Sequence, residues 1–301
     1  MGFIRKILSL ALAALLLTAG SLSAKSGANT SLPVKPDTLR ILAIGNSFAD
    51  DGMMWLPELL EAASIRNVIL GRLYIGGCSL ERHCNEHEGG KADYIYYKST
   101  KNKWETISKK ASMLQGLKDE KWDIISLQQA SGWSGIYSSY NPWLGKLIGI
   151  VREHSAKKEA SIVWHQTWAY ARNSTHEHFS NYGKDQIKMF SAINECVEKL
   201  RQEYGIEVVI PSGTTIQLLR ETLLNDINEL TRDGYHLNEQ FGRYAAACAW
   251  FEALIKPVFG ISVKGNPCTL AGTGHQLCKG DAKKCQSAAV KAARSFRQAS
   301  L

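Results

Sequence analysis

The chain has 301 residues and a formal net charge of +8, with 36 lysines and arginines against 28 aspartates and glutamates. A chain of this length can bury one substantial hydrophobic core. The charge is unevenly placed, because residues 5 and 6 contribute +2, residues 256–301 contribute +7, and the remainder sums to −1. A near-neutral body with a basic end argues against an extended nucleic-acid surface, so no nucleic-acid partner is expected.

The first 24 residues have the pattern of a cleavable secretory signal. A basic start at Arg5 and Lys6 precedes a largely apolar run over 7–19, and small residues lead to Ala24. No stretch approaches the ~20 apolar residues that span a bilayer, so stable membrane insertion is not expected. We therefore expect an exported, periplasmic or extracellular protein that is soluble after cleavage and has an N-terminal extension over 25–38.

Alternating apolar and amphipathic segments predict an α/β fold with a parallel sheet. The five predicted strands are 39–44, 68–75, 122–128, 161–167 and 207–210. The five predicted helices are 54–64, 112–118, 143–154, 184–204 and 238–255. Right-handed crossovers between these strands would give a three-layer α/β/α sandwich, with functional loops at the carboxyl ends of the strands.

Residues 92–107 interrupt this alternation and read as a β-hairpin with a polar turn over 99–103. The hairpin is inserted between the second strand and the next predicted helix. Insertions at such an edge commonly shape or cover a pocket, and the alternative is a surface hairpin that only shields the sheet.

Seven cysteines in an exported chain predict disulfide bonds, and the odd count leaves one thiol unpaired if all the others are bridged. Residues 259–301 are expected to form a basic, weakly packed tail, which a disulfide would anchor. The three cysteines of this tail are Cys268, Cys278 and Cys285. Cys78 and Cys84 are candidates for a second bridge across a turn. Cys196 and Cys248 lie in apolar helical contexts and are predicted to be buried thiols.

Residues just past the ends of parallel strands converge on one crevice, and four of them suit acyl transfer. The first strand delivers Ser47, the second delivers Gly77, and the segment before the last helix delivers Asp233 and His236. A serine hydroxyl needs an imidazole to take its proton, an acid to orient that imidazole, and donors for the oxyanion. We expect Ser47 as nucleophile, His236 as base and then acid, Asp233 as its orienting acid, and the backbone N–H groups of Ser47 and Gly77 as oxyanion donors.

These residues resemble the signature of the SGNH, or GDSL-like, hydrolase superfamily. The chain carries "GNS" at 45–47, "GCS" at 77–79 and "DGYH" at 233–236, in that order. The resemblance is greatest to a secreted bacterial branch classified as a domain of unknown function. It implies a flavodoxin-like SGNH hydrolase fold over 39–258 and Ser-His-Asp hydrolysis of esters without a metal or cofactor.

Two positions depart from the superfamily pattern. Asn46 stands where the usual residue is aspartate, and the third block lacks the Gly-x-Asn-Asp that supplies a side-chain oxyanion donor. That donor would have to be Gln128 or Gln129. Successive strand residues point to opposite faces of a sheet, so one of the pair is expected in the crevice, and Gln129 is preferred.

Several nearby side chains are candidates for substrate contact or for other chemistry. Asn46, His83, His165 and Trp168 are predicted to bind substrate, and His165 is also an alternative base. A cluster of zinc-ligating residue types offers a competing metal site, although its spacing matches no familiar one. The members of this cluster are Cys78, His83, Cys84 and His87.

The substrate is expected to be an acylated carbohydrate or another small ester. Aromatic residues that fall in post-strand loops could stack on sugar rings, and they favour a glycan over a lipid. Together with the resemblance to the superfamily and the lack of an obvious long apolar lid, they lead us to expect small acyl groups, above all acetyl. These aromatic residues are Trp133, Tyr137, Trp168 and Tyr170. The alternatives are a non-catalytic glycan-binding protein that retains the fold, and a lipase or thioesterase with a wider acyl groove. The pattern predicts no particular oligomeric state.

Overall fold

The structure is a computed structural model that describes residues 32–34 and 36–298. The predicted signal over 1–24 lies outside the described residues, as does most of the extension over 25–38. Within the described ranges, no helix is both long enough and apolar enough to cross a membrane.

The centre of the fold is a seven-stranded sheet in the order β4-β3-β2-β1-β5-β6-β7. Its strands are β1 (Leu39–Gly45), β2 (Val68–Tyr74), β3 (Tyr94–Ser99), β4 (Trp104–Ala111), β5 (Ile124–Leu127), β6 (Ser161–His165) and β7 (Val209–Ile210). The five predicted strands are parallel and adjacent, in the flavodoxin-like order β2-β1-β5-β6-β7. The predicted α/β fold is therefore confirmed, but the sheet has seven strands and not five.

The two additional strands come from the predicted hairpin. β3 pairs antiparallel with β2, and β4 pairs antiparallel with β3, so the hairpin extends the sheet instead of standing apart from it. Arg72 of β2 fixes its position, because the buried guanidinium lies 4.0 Å from the ring centroid of Trp104 and forms a 2.6 Å ion pair with Asp50. The hairpin is thus held to the helix that begins at the candidate nucleophile.

Residues 36–298 contain ten α-helices. They are α1 (Ser47–Met53), α2 (Leu56–Ala62), α3 (Leu80–Glu88), α4 (Met113–Asp119), α5 (Trp143–His154), α6 (Gln186–Tyr204), α7 (Ser212–Arg220), α8 (Phe241–Trp250), α9 (Lys256–Phe259) and α10 (Lys279–Gln298). A π-helical turn, Phe251–Ile255, joins α8 to α9. The predicted helix over 238–255 therefore corresponds to α8 and this turn together.

The alternation of side chains along β1 explains the three layers. Leu39 and Ile41 belong to an apolar cluster on one face, where α1, α2, α7, α8 and α10 pack. Leu42 and Ile44 belong to a second cluster on the other face, where α3, α4 and α5 pack. Helix α6 contributes apolar side chains to both clusters. Because both faces are covered, the parallel strands read as continuous apolar runs.

The C-terminal segment differs from the expected weakly packed tail. Helix α10 packs against α7 and α8, and Cys285, Ala289 and Ala292 on it are almost completely buried. Its buried positions are mostly alanine and cysteine, so the apolar periodicity of the helix is weak in the sequence. The basic side chains of the segment lie on the opposite, exposed side of this packed helix.

The predicted disulfides are absent, because all seven cysteines are described and all are free thiols. The Cys84 thiol donates to the carbonyl of Trp143, and Cys78 contacts the ring of His83 at 3.3 Å. Cys285 is buried in the packing of α10 against α8. Burial raises the pKa of Cys285 to about 12 and that of Cys84 to about 11, so these thiols stay protonated at neutral pH.

Candidate active site

Ser47 is the first residue of α1, directly after β1. As the first residue of a helix, it has no carbonyl four residues earlier within that helix to accept its N–H. The short β1-to-α1 turn therefore presents both a hydroxyl and a backbone donor at the carboxyl edge of the sheet, where ligands bind in folds of this kind.

The hydrogen bonds of Asn46 explain why this position holds an amide where the superfamily has aspartate. Its Oδ1 accepts from the Phe48 N–H at 3.0 Å, which caps α1, and from Gln128 Nε2 at 2.8 Å. Its Nδ2 donates to the carbonyl of Cys78 at 3.0 Å. A carboxylate could not make this last bond, because it has no N–H to give. Asn46 therefore ties the Ser47 turn to the loop that carries Gly77, and its side chain is buried.

Ser47, His236 and Asp233 form a continuous hydrogen-bonded chain. Ser47 Oγ lies 2.8 Å from His236 Nε2, and His236 Nδ1 lies 2.6 Å from Asp233 Oδ2. The other oxygen, Asp233 Oδ1, accepts from the backbone N–H groups of Tyr235 and His236 at 3.1 and 2.7 Å. One carboxylate oxygen is thus fixed by the backbone while the other faces the imidazole.

The electrostatics of Asp233 suit an orienting acid. Burial acts to raise its pKa, but the hydrogen bonds from the His236 ring and from two backbone N–H groups outweigh burial, and its pKa lies below the ordinary 3.8. Asp233 is therefore ionised at neutral pH. An ionised carboxylate holds the proton of His236 on Nδ1, which leaves Nε2 free to accept the proton of Ser47.

The loop that carries His236 is shaped by a glycine and supported by an aromatic stack. Gly234 has φ of +90°, and a Cβ added there would lie 2.9 Å from the Cα of Ser174, so only glycine fits. Below the loop, Trp168 donates from Nε1 to the carbonyl of Tyr235 at 2.7 Å and stacks on Phe48 at 4.2 Å between centroids. Trp168 is fully buried and outside the cleft lining, so the structure does not bring it to the predicted substrate contact, and the residue supports the loop instead.

Asp51, which the sequence did not single out, connects the nucleophile helix to the His236 loop. Its carboxylate accepts from the Leu237 N–H at 2.8 Å, from Arg243 Nε at 2.7 Å and from Arg232 Nη1 at 3.1 Å. Burial raises the pKa of Asp51, while the two arginines and the Leu237 N–H act in the opposite direction. The sequence shows a second acidic residue in "ADDGM" and arginines at 232 and 243, but nothing in it indicates that these residues contact one another. Only the fold brings them together.

A cleft of about 400 Å³ opens over Ser47 and His236. Gly77 lies in its wall with φ of +61°, and a Cβ added there would meet no atom within 4 Å, so the glycine is favoured by backbone conformation and not by lack of space. Trp133, predicted as a sugar-stacking residue, also lines the cleft. Other lining residues were not assigned to the site by the prediction, among them Tyr74, Ser131, His176, Glu177 and Tyr235. Most of these lie in loops distant in sequence from the triad.

Neither glutamine that was predicted as an oxyanion donor lines this cleft. The Nε2 of Gln129 donates to both the carbonyl and the hydroxyl of Ser139 at 3.1 Å. Its Oε1 accepts from the N–H groups of Leu80 and Ala130 at 3.1 and 2.8 Å. Gln129 is therefore a buried brace between loops, because all its polar atoms are used inside the protein.

Gln128 and His165 belong to a second buried network. Gln128 Nε2 donates to Asn46, and its Oε1 lies 3.0 Å from His165 Nδ1, whose ring places Nε2 2.9 Å from the Ser212 hydroxyl. Burial lowers the pKa of His165 to about 3, so the ring is neutral at neutral pH. His165 lies outside the cleft lining, so the structure does not bring it to the predicted substrate contact or to the position of an alternative base.

His83 is likewise distant from the cleft lining. Its ring is fully buried on α3, where Nδ1 lies 2.8 Å from the Tyr94 hydroxyl, and burial lowers its pKa to about 3. The structure therefore does not bring His83 to the predicted contact with substrate. The competing zinc cluster does not assemble, since no three potential metal ligands come together anywhere in the described part of the chain.

The model of a family described as a domain of unknown function, DUF4886, matches residues 40–285. No curated protein is detectably similar in sequence to the chain. The crystal structure of a DUF4886 family protein from Bacteroides uniformis is 42% identical over 85% of this chain and 95% of that one, with a TM-score of 0.77.

Two further solved structures are more distant. A protein described as a GDSL-like lipase from Parabacteroides merdae is 17% identical, covering 74% of this chain and 98% of its own, with a TM-score of 0.51. A protein described as an SGNH hydrolase from Slackia heliotrinireducens is also 17% identical, covering 72% of this chain and 98% of its own, with a TM-score of 0.47. These similarities concern the fold.

Proposed function

The chain belongs to the DUF4886 family, and we propose that it is an exported serine esterase that removes small acyl groups, above all acetyl, from a carbohydrate. The observation that carries the proposal is the hydrogen-bonded chain from Ser47 Oγ through His236 to Asp233, with distances of 2.8 and 2.6 Å. Serine, imidazole and carboxylate in this order form the arrangement that activates a hydroxyl for acyl transfer.

The proposed reaction has two halves. Ser47 Oγ attacks the ester carbonyl while His236 Nε2 takes its proton, and the same nitrogen then protonates the departing sugar oxygen. This leaves the acyl group bonded to Ser47. A water molecule, deprotonated by His236, attacks that acyl group, releasing the carboxylic acid and restoring the serine hydroxyl. No cofactor is needed for either half.

The developing oxyanion is assigned to backbone donors. The N–H of Ser47 opens α1, and Gly77 supplies a second N–H from the opposite cleft wall. A helix N-terminus adds a favourable dipole for negative charge. Each such donor is worth roughly 3 kcal/mol of transition-state stabilisation in comparable sites. The proposal does not depend on Gln128 or Gln129, whose amides bond elsewhere.

The lining of the cleft favours a short acyl group. The apolar residues in its wall are Phe48, Ala130 and Trp133, together with the rings of two tyrosines, and no leucine, isoleucine, valine or methionine is found among its described lining residues. A long acyl chain would need an extended aliphatic groove to replace its contacts with water. A lipase or thioesterase acting on long chains is therefore the weaker candidate.

An acetate-release assay tests this function. The purified protein is incubated with a panel of O-acetylated polysaccharides, and free acetate is measured against Ser47→Ala as the blank. We expect release from at least one glycan by the wild-type protein and none above background by Ser47→Ala. Equal release by both proteins would contradict the assignment of Ser47.

A non-catalytic glycan-binding protein is the second candidate, and one observation favours it. The two glutamines predicted as side-chain donors of the oxyanion hole, Gln128 and Gln129, donate instead to Asn46 and Ser139. Glycan binding by the wild-type protein and by Ser47→Ala, without acetate release or reaction with serine-directed probes, would favour this candidate.

A further inference from the structure

The cleft carries one exposed tryptophan in a chain whose other large aromatic side chains are mostly buried. Trp133 is 38% exposed, whereas Trp168 and Tyr170, predicted as sugar-stacking residues, are fully buried. Tyr137 is partly buried but points away from the cleft, with its hydroxyl bonded to Glu203. Of the four aromatic residues predicted to contact sugar, Trp133 alone lines the cleft.

The position of Trp133 is fixed before any ligand arrives. Its backbone N–H donates to the carbonyl of Ala130 at 2.9 Å, and its ring centroid lies 4.8 Å from that of His178. The adjacent Gly132 is packed against His178, since a Cβ there would lie 2.5 Å from the His178 Cβ. An immobilised aromatic face costs less side-chain entropy on binding than a mobile one.

The residues that line the cleft carry an acidic side chain but no basic lysine or arginine among those described. Glu177 is the one lining residue with a permanent charge, and neither a lysine nor an arginine occurs among the described lining residues, although the chain is basic overall. The Glu177 side chain is 83% exposed; its Oε1 lies 3.5 Å from Nε2 of His178, and the exposed carboxylate retains acceptor capacity for hydrogen bonds from hydroxyl groups. Burial and the neighbouring His178 lower the pKa of His176, so this ring does not supply a cation at neutral pH.

We propose that this cleft selects an uncharged sugar, with Trp133 stacking on the ring and Glu177 accepting hydroxyl hydrogen bonds while repelling acidic sugars. This inference rests on the proposed esterase function and specifies its substrate class. A sugar carboxylate entering here would lose water without gaining a cationic partner. A neutral ring presents C–H groups to the aromatic face and hydroxyl groups to the carboxylate.

Two acetylated probes of opposite character test the charge preference. Acetylated xylo-oligosaccharides are neutral, and acetylated oligogalacturonides carry one carboxylate on each sugar. We expect kcat/KM to be at least about tenfold higher for the neutral probe. Glu177→Gln, or a rise in ionic strength, should narrow this ratio several-fold, because exposed charges are screened by salt. Equal rates, or faster hydrolysis of the acidic probe, would overturn the inference.

The stacking role is tested by Trp133→Ala, with Tyr137→Ala as the matched aromatic control outside the cleft. The readout is the ratio of kcat/KM on acetylated xylo-oligosaccharides to that on ethyl acetate, which has no sugar ring. We expect Trp133→Ala to lower this ratio about tenfold, with recovery in Trp133→Phe, and Tyr137→Ala to leave it unchanged. An unchanged ratio in Trp133→Ala would overturn the stacking role.

Binding to an inactive protein separates this inference from the proposed function. In the Ser47→Ala background, calorimetry with unacetylated xylo-oligosaccharides should give a Kd that rises about tenfold on Trp133→Ala. If ethyl acetate is not hydrolysed by the wild-type protein, the esterase proposal fails by itself. If it is hydrolysed in a Ser47-dependent manner but neutral glycans neither bind nor react preferentially, the substrate inference fails alone.

Discussion

The buried carboxylate of Asp51 accepts a hydrogen bond from the backbone N–H of Leu237 at 2.8 Å. Asp51 lies about one turn after Ser47 on the same helix, and Leu237 directly follows His236. Ser47 and His236, the proposed nucleophile and base, lie far apart in the sequence, so this contact helps to fix their separation. The two arginines that also bind Asp51, Arg232 and Arg243, flank the same loop.

Asp51→Asn should reduce turnover by misplacing the base. The amide retains an acceptor for Leu237 but loses the charge that holds both arginines, so His236 is expected to shift relative to Ser47. Displacements of about 1 Å at a catalytic group cost up to about a hundredfold in rate. We expect kcat on ethyl acetate to fall at least about tenfold, with little change in KM because the cleft lining is intact.

Asp50→Asn is the matched control, because it removes the adjacent charge on α1, whose partner Arg72 lies toward the hairpin. Its kcat should stay near that of the wild-type protein. Equal kcat values for the two variants would contradict a positioning role for Asp51, and so would a loss confined to KM.

The variant Gln129→Ala tests whether Gln129 stabilises the surrounding loops or donates to the oxyanion. The N–H groups of Leu80 and Ala130 lose their acceptor, and each buried donor left unpaired costs roughly 1–3 kcal/mol. We expect the free energy of unfolding, measured in urea, to fall by about 2 kcal/mol or more. The control is Gln115→Ala at an exposed position, which should lower it by less. A hundredfold loss of kcat with unchanged stability would instead identify Gln129 as an oxyanion donor.

The sequence was sufficient to predict the fold and the approach of Ser47, His236 and Asp233 to one another, for a definite physical reason. Local sequence patterns identify three segments: the β1-to-α1 turn, the Gly77 loop and the Asp233–His236 segment. The carboxyl ends of parallel strands meet at one edge of the sheet, so a parallel sheet is enough to place these segments close together. Gln128, Gln129, His83 and His165 were misplaced because their direction depends on packing partners far along the chain. Helix α10 was not predicted, because its buried positions are mostly alanine, together with Cys285, and small side chains give a weak apolar pattern.

The two buried histidines make the fold sensitive to acid. Burial holds the pKa values of His83 and His165 at about 3, whereas the ordinary value is 6.5. Between pH 3 and 6.5 the unfolded chain binds protons that the folded protein does not, so stability falls as the pH is lowered through this window. At pH 5 each histidine should reduce the free energy of unfolding by about 2 kcal/mol relative to neutral pH.

The measurement is the change in unfolding free energy between pH 7 and pH 5. His83→Gln and His165→Gln should each reduce this change, whatever their effect at pH 7, while His154→Gln serves as a control on the half-buried end of α5. If the unfolding free energy has the same pH dependence in all three variants and in the wild-type protein, the pKa values of His83 and His165 are not lowered by folding, which would contradict the prediction.

Reaction with a fluorophosphonate, followed by mass spectrometry of the labelled peptide, tests the central claim most directly. The reagent bonds to a serine only when a neighbouring base activates its hydroxyl, and Ser47 Oγ lies 2.8 Å from His236 Nε2. We predict labelling of the native protein at Ser47, none in Ser47→Ala, and labelling slowed at least about a hundredfold in His236→Ala. Labelling at another serine that persists in Ser47→Ala, or an unlabelled native protein, would contradict the account.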